Sequence, residues 1–382
     1  MEGGAQVKRL TAALAAAALL CTGAAAEAPP APEVSARSAV LMHADTGEIL
    51  CAKNALEPML IASTTKLMTA LTVLDVCEPG DEVDITQEMC GVEGSSMYLR
   101  AGESCTVEEL LCGLLLVSGN DAATALALHA AGSMERFAEL MNDKARELGM
   151  SGSHFENAHG LDAEGHHSTA RDLAVLMAAC MSEPLLAEIT GAAELDAAGR
   201  TLVNHNRLLR EYNGCIGGKT GYTKAAGRCL VSCAEREGTR FICVTLDAPD
   251  DWADHAALYD WAFANYSYET VISPETVLRL PAATGSNGWV EVSPQSEARV
   301  LLPSGSVSDL ETHVELPPFV FAPVEAGETL GEISVSLEGE VIASSGLVCS
   351  SGAQLPRETL LQRLGRALGF AWKAGPYYLT DE

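Results

Sequence analysis

The sequence predicts an α+β fold, followed by a small C-terminal all-β domain and a terminal amphipathic helix. Three observations carry this expectation. Apolar residues recur at helical spacing through 63–74, 106–130, 133–148, 169–182 and 252–268. Two stretches, 38–55 and 229–248, read as strand, turn, strand. After about residue 270 the helical period disappears, and short Val/Leu-rich runs alternate with Gly, Pro and Ser.

The chain has 382 residues, of which 48% are hydrophobic, enough for one large domain and a small one. Its formal net charge of −28 repels nucleic acid, because such a surface cannot neutralise phosphates. Lys8 and Arg9 precede a short apolar run over 10–20, and Ala24-Ala25-Ala26 gives a small-residue cleavage site. This is the pattern of a signal peptide over 1–26, too short to span a membrane. A lipoprotein reading centred on Cys21 fits less well, because Leu20 is bulky where a small residue is expected. Export permits disulfides. The eleven cysteines after this segment nevertheless show no disulfide framework and no C-x-x-C pair. Several, such as Cys112, Cys180, Cys229 and Cys243, lie in apolar runs and read as buried thiols.

Residues 27–36 form a Pro-rich linker. The hairpin at 38–55 turns at Asp45-Thr46-Gly47. A helix then starts near Ser63, with Leu67, Met68, Leu71 and Leu74 on its periodic face. Two helices in 106–130 are interrupted at VSGND. The second hairpin turns at Glu237-Gly238, and the helix over 252–268 follows. The expected bounds are 37–268 for the larger domain and 272–349 for the all-β one. In 357–375, Leu360, Leu361, Leu364, Leu368 and Trp372 share one face, opposite Arg363, Arg366 and Lys373. Such a helix either packs on its own domain or lies in a membrane interface.

Three short motifs carry chemistry. In Ser63-Thr64-Thr65-Lys66 only Ser63 stands three residues before the lysine, so only that pair shares a helix face. A serine hydroxyl needs a base, and a buried lysine can be one. Alone, Ser63 reads equally well as a helix N-cap. Ser118-Gly119-Asn120 sets a polar break between apolar helices. It reads as a helix–helix loop, or as a second hydroxyl with an amide to hold a peptide. GGKTGYT, 217–223, imitates a phosphate-binding loop. Asn213, however, stands where the first glycine belongs, and the stretch reads better as an edge strand. Lys219 then offers a cation, Thr220 a hydroxyl and Gly221 a close backbone approach.

S-x-x-K, S-x-N and K-T-G in this order form the motif set of penicillin-binding proteins and serine β-lactamases. The chain resembles the low-molecular-mass D-alanyl-D-alanine carboxypeptidases of serine peptidase family S11. The stretches SGNDAA (118–123), FENAHGLDAEGHHSTARDLA (155–174), NHNRLL (204–209) and KTGYTKAAGRCLV (219–231) carry the likeness. The resemblance implies a β-lactamase/transpeptidase-like catalytic domain, an antiparallel sheet flanked by helices. It implies Ser63 as nucleophile, Lys66 as its base and Ser118 as proton donor to the leaving amine. Asn120, Lys219, Thr220, Gly221, Tyr222 and Arg240 would bind substrate, with the N–H groups of Ser63 and Tyr222 as oxyanion hole. The partners implied are a peptidoglycan stem peptide ending in D-Ala-D-Ala, β-lactams as covalent inhibitors, and a membrane surface through 357–375. The location implied is the outer face of the cytoplasmic membrane or the cell wall. No cofactor and no metal is implied. One departure is Ile216, beside Cys215, where the family usually carries an acidic residue three before the lysine.

The alternatives lack residues they need. A β-lactamase of the nearest class needs a deacylating carboxylate in an E-x-x-L-N segment, and 121–218 holds none. A zinc carboxypeptidase would draw on His159, His166 and His167, yet no H-x-x-x-H or H-E-x-x-H occurs. An α/β-hydrolase would need G-x-S-x-G, which is missing. A cell-wall-binding protein with a weak or dead site would not need all three motifs intact.

Overall fold

The computed structural model describes residues 29–284 and 287–354. The expected signal peptide and the expected helix at 357–375 lie outside these residues. The described chain forms two compact units. The first takes Ala28–Val271 and Arg299–Val307, and the second takes Ile272–Ala298 and the chain from Ser308 onward.

In the first unit, strands β1 (Ser38–His43) and β2 (Ile49–Lys53) form the expected hairpin. Helix α1 (Lys66–Leu74) follows a short 3-10 turn over Ala62–Thr65. Strands β3 (Glu82–Asp84) and β4 (Ser104–Thr106) pair beside it and lead into α2 (Val107–Leu115) and α3 (Asn120–Ala131). Helices α4 (Met134–Glu147), α5 (Ala170–Ser182) and α6 (Pro184–Gly191) precede a hairpin of β5 (Glu194–Ala197) and β6 (Arg200–Val203). The short α7 (Leu208–Glu211) leads to β7 (Cys215–Thr223), β8 (Gly227–Arg236) and β9 (Thr239–Leu246). Helix α8 (Asp251–Asn265) ends where β10 (Tyr266–Ile272) begins. The expected helix over 252–268 thus gives way to strand at Tyr266. The hairpin β5–β6 and helix α6 had not been foreseen, being short and weakly patterned.

The main sheet has the order β2-β1-β9-β8-β7 and is antiparallel throughout. Its central strands are covered on both faces, and their residues alternate accordingly. Ala39 and Leu41 of β1, with Phe241 and Cys243 of β9, pack on Leu258, Tyr259 and Ala262 of α8. Val40, Met42, Ile242 and Val244 face the other way, into a core built with α1, α2, α3 and α5. Lys66 to Val73 of α1 are all buried, so this helix is covered all round and runs through the core. Thr106 and Glu109 close a capping box at the start of α2, with bonds of 3.2 and 2.9 Å. All eleven cysteines of the described residues are free thiols, seven of them buried. Burial pushes Cys105 and Cys112 up to about 11, and Cys180 and Cys229 up to about 12.

The second unit is all-β, as expected. Its strands are β11 (Leu278–Ala283), β12 (Trp289–Pro294), β14 (Leu310–Glu315), β15 (Val320–Phe321), β16 (Thr329–Leu337) and β17 (Glu340–Cys349). They form one sheet in the order β14-β16-β17-β12-β11-β15. Strand β13 (Ala298–Pro303) stays out of that sheet and pairs with β10.

One loop is shaped around a glycine. Gly160 has φ of +84°, and a Cβ there would lie 2.0 Å from the Ala62 carbonyl oxygen. Gly149 has φ of +71° but open space around it. Gly149→Ala should therefore cost only the left-handed strain, about 1 kcal/mol. Gly160→Ala must also displace the backbone next to Ser63 and should cost about 3 kcal/mol or more. Urea unfolding of the two variants checks the ordering.

Candidate active site

Ser63, Lys66, Ser118 and the strand 219–222 come from three separate parts of the chain, and packing brings them together. The turn before α1 fixes Ser63. Ala62 has φ of +47°, rare for a residue with a Cβ. Thr64 Oγ1 donates to the Ile61 carbonyl at 2.7 Å, and Thr65 Oγ1 donates to the Ala62 carbonyl at 2.8 Å. His166 Nδ1 accepts from the Glu156 N–H, so its Nε2 donates to Thr65 Oγ1 at 2.8 Å. Burial lowers His166 to about 4, so this support is neutral. The two threonines thus lock the turn, and Ser63 makes no capping bond. That removes the reading of Ser63 as a helix N-cap. His166 is spent on the same turn, and His159 Nδ1 accepts from the Leu161 N–H.

Lys66 is fully buried. Its Nζ lies 3.0 Å from Ser63 Oγ, 2.6 Å from Asn120 Oδ1 and 2.6 Å from the His159 carbonyl oxygen. Desolvation, and then the charge of Lys219, hold its ammonium form well below the ordinary lysine range; Asp121 opposes this in part. A neutral amine has two N–H groups and one lone pair. The Asn120 and His159 oxygens can take the two N–H groups. The lone pair is then left for the Ser63 hydroxyl.

Ser118 lies in the interruption between α2 and α3. It has φ of +60°, it is buried, and its Oγ has no hydrogen-bond partner among the described residues. A strained residue with a free hydroxyl has a position that the fold enforces. Asn120 opens α3. Its amide serves the protein: Oδ1 takes the Lys66 bond and Nδ2 donates to the Glu93 carbonyl. The structure thus joins Asn120 to Lys66, a contact the sequence did not suggest.

The GGKTGYT stretch is β7, at the edge of the main sheet. A Cβ on Gly221 would lie 3.0 Å from Ser63 N and from Ile61 O, so strand and turn are in van der Waals contact. Lys219 is buried, lowered by desolvation to about 7, and donates to its neighbour's Thr220 carbonyl at 2.9 Å. Beside it, β7 carries a bulge at Ile216. Asn206 Nδ2 bonds the Gly217 carbonyl at 3.4 Å and Cys215 Sγ at 3.8 Å, so a neutral contact anchors this end.

A cleft of about 300 Å³ opens over Ser63, with Ser95, Ser118, His205, Thr220, Gly221, Tyr222, Arg228, Asp251 and Trp252 around it. Arg240 is not among them. It pairs with Asp45, at the far end of β9. Thr245, opposite Leu230 and so in line with Thr220, is five residues further on, about 17 Å along the strand. The expectation for Arg240 is thus corrected by strand register. The cation at the cleft is Arg228, which faces Tyr222 across the β7–β8 ladder. It donates to the buried Asp251 at 2.7 and 3.0 Å and lies 5.8 Å from the Trp252 ring centroid. It stands in the quoted run KTGYTKAAGRCLV, and only the register reveals its place.

Asp121 was also passed over. Its carboxylate accepts from the N–H groups of Met97 and Leu99, both at 3.0 Å, and from Ser96 Oγ at 2.6 Å. It pins the loop that carries Ser95 to the cleft.

The lowered lysines bear on stability. A cation whose folded pKa is lowered makes the native state bind fewer protons than the unfolded one between the two values. Stability should therefore rise from pH 7 to about 8.5, a window that lies below the ordinary thiol range and above that of histidine. Lys219→Met should flatten this rise. Urea unfolding at both pH values measures it.

Residues 24–250 match the D-alanyl-D-alanine carboxypeptidase family, and residues 266–353 match the C-terminal domain of penicillin-binding protein 5. D-alanyl-D-alanine carboxypeptidase DacF of Bacillus subtilis is 34% identical over 325 residues, covering 81% of this chain and 84% of that protein. DacC of Escherichia coli is 33% identical, covering 85% and 86%. Among solved structures, penicillin-binding protein 6B from Escherichia coli superposes with a TM-score of 0.70 at 30% identity, over 85% of this chain and 98% of that one. Penicillin-binding protein 5 from Haemophilus influenzae gives 0.69 at 28%, over 85% and 99%. With this coverage, and with its three motifs converging on one cleft, the chain belongs to the D-alanyl-D-alanine carboxypeptidase family, serine peptidase family S11.

Proposed function

We propose that the protein is a serine D-Ala-D-Ala carboxypeptidase acting on peptidoglycan stem peptides, and that β-lactams acylate it. One observation carries this reading: a buried lysine amine lies 3.0 Å from Ser63 Oγ and finds oxygen acceptors for its two N–H groups. In the proposed reaction Ser63 Oγ attacks the carbonyl of the penultimate D-alanine, and its proton passes to Lys66. The N–H groups of Ser63 and Tyr222 hold the oxyanion, consistent with the contact of strand and turn at Gly221. Ser118, with its unpartnered hydroxyl, gives a proton to the departing D-alanine amine as the C–N bond breaks, and regains one from Lys66. Thr220, Arg228 and the buried Lys219 supply the field for the terminal carboxylate. Asn120 keeps Lys66 aimed. Water then cleaves the Ser63 ester.

A β-lactam would follow the same first step and persist as an ester. The carboxylate lining the cleft, Asp251, accepts two hydrogen bonds from Arg228, so it is engaged by a cation rather than free as a base. This disfavours the β-lactamase alternative. The family's cell-wall chemistry supports export through a signal peptide at 1–26. The helix at 357–375 is proposed as an in-plane membrane anchor, and the all-β domain as a spacer. Deleting 357–382 should then move the protein from the membrane to the soluble fraction, and an unchanged fraction would remove the anchor.

Release of D-alanine from a pentapeptide, with labelling by a fluorescent penicillin, tests the main reading. Ser63→Ala should abolish both. Lys66→Met should lower acylation by about 10²–10⁴. Labelling that survives Ser63→Ala would sink the assignment. Arg228→Ala should cut kcat/KM for the peptide by about tenfold or more, the scale of one charged hydrogen bond, while Arg240→Ala should leave it near wild type.

A further inference from the structure

We propose that Cys77, Asp81 and His129 form a zinc-type cation site that braces the far ends of the two helices whose near ends build the active site. A thiol sulfur, a carboxylate oxygen and an imidazole nitrogen here lie within 4.8 Å of one another. The three come from different segments. Cys77 follows the last turn of α1, where its N–H donates to the Val73 carbonyl at 2.9 Å. Asp81 sits in the loop to β3, and His129 is in the last turn of α3.

Backbone hydrogen bonds fix Asp81 in its loop. The Asp81 N–H donates to the Glu78 carbonyl at 3.0 Å, and its Oδ2 accepts from the Glu78 N–H at 2.9 Å. Its own carbonyl accepts from Val107 N–H at 3.0 Å, which ties the loop to the start of α2. The carboxylate is therefore fixed before any ion arrives. Cys77 and Asp81 are half-buried and His129 is exposed, so the cluster is open to solvent on one side.

The donor set selects the ion. Thiolate and imidazole favour zinc over calcium or magnesium, which prefer an all-oxygen shell. One thiolate and one carboxylate balance a divalent charge, and a water can complete four-coordination. Zinc binds the thiolate, so binding replaces an S–H bond by an S–Zn bond and releases that proton to solvent.

The placement gives the site its consequence. Helix α1 starts at Lys66 and α3 at Asn120, the pair that holds the Ser63 base. Nine residues of helix put Cys77 about 13 Å or more from that pair. A bound ion would touch no reacting atom; it would fix the spacing of two helices at the end opposite the chemistry.

The test uses the full chain, tag removed, reduced and stripped with chelator, and zinc ion alone as probe. Equilibrium dialysis should give one zinc per chain, release of one proton, and a raised melting temperature. Cobalt should give a thiolate charge-transfer band. Cys77→Ser and His129→Gln should each weaken zinc binding by about tenfold or more and remove the melting shift, and Cys77→Ser should remove the cobalt band. Cys90→Ser, at another half-buried thiol, should change none of these. Circular dichroism and penicillin labelling confirm that each variant is folded. No zinc uptake, or equal uptake by wild type, Cys77→Ser and His129→Gln, would overturn the site. Neither result depends on the peptidase reading, which the pentapeptide assay decides separately.

Discussion

The site depends on one physical constraint: two lysines buried together without a carboxylate bonded to either. Taking a charge from water into a protein interior is costly, and two like charges cost more. The fold meets that cost by lowering both ammonium groups below the ordinary lysine range, which favours the neutral amines. Desolvation is the larger cause for both lysines, and for Lys66 the neighbouring Lys219 adds to it. An ordinary salt bridge would defeat the purpose, since it would restore the charge. Lys66 is accordingly met by an amide oxygen and a backbone carbonyl, both neutral, and by the Ser63 hydroxyl. Asp121, the nearest acid, is spent on two backbone N–H groups and Ser96.

The arrangement needs rigid walls, and these come from local rules being broken in a controlled way. Ala62 and Ser118 hold positive φ without being glycine. Each strained residue is over-determined by its surroundings. The Ala62 carbonyl takes the Thr65 hydroxyl and has Gly160 packed beneath it. Ser118 is fixed between α2 and α3, whose starts are held by a capping box and by the Asn120 N–H bond to the Ser95 carbonyl. Strain of this kind, about 1–3 kcal/mol per residue, persists where the rest of the fold enforces it.

The legible part of the sequence was the part written in local patterns. The hairpins, the helical periods and the change near residue 270 are all short-range signals, and the fold class follows from them. Ser63 and Lys66 were legible for the same reason, because their spacing of three is itself local. What the sequence hid depends on pairing between strands. Nothing near Arg240 says that Asp45 will claim it, and nothing near Arg228 says that the β7–β8 register sets it beside Tyr222. Asn120 was legible as a site residue but not as a partner of Lys66, since that contact joins residues 54 apart in the chain.

The edge position of β7 explains why the cleft lies where it does. An edge strand leaves one side of its backbone unpaired, and proteins usually cover it. Here the cover is divided. The first half of β7 is closed by α6: a Cβ on Gly191 would meet the Ile216 carbonyl at 2.6 Å, and one on Gly217 would meet Met181 and Thr190. The second half, Thr220 to Tyr222, is left to the cleft and to the turn at Ser63. In the proposed reaction an extended peptide would pair with this segment while its carbonyl meets Ser63. This accounts for the glycine at 221. A side chain there would press on the Ser63 and Thr64 N–H groups and separate the strand from the turn that carries Ser63. The spacing between edge and turn is a backbone distance, set by the absence of a Cβ.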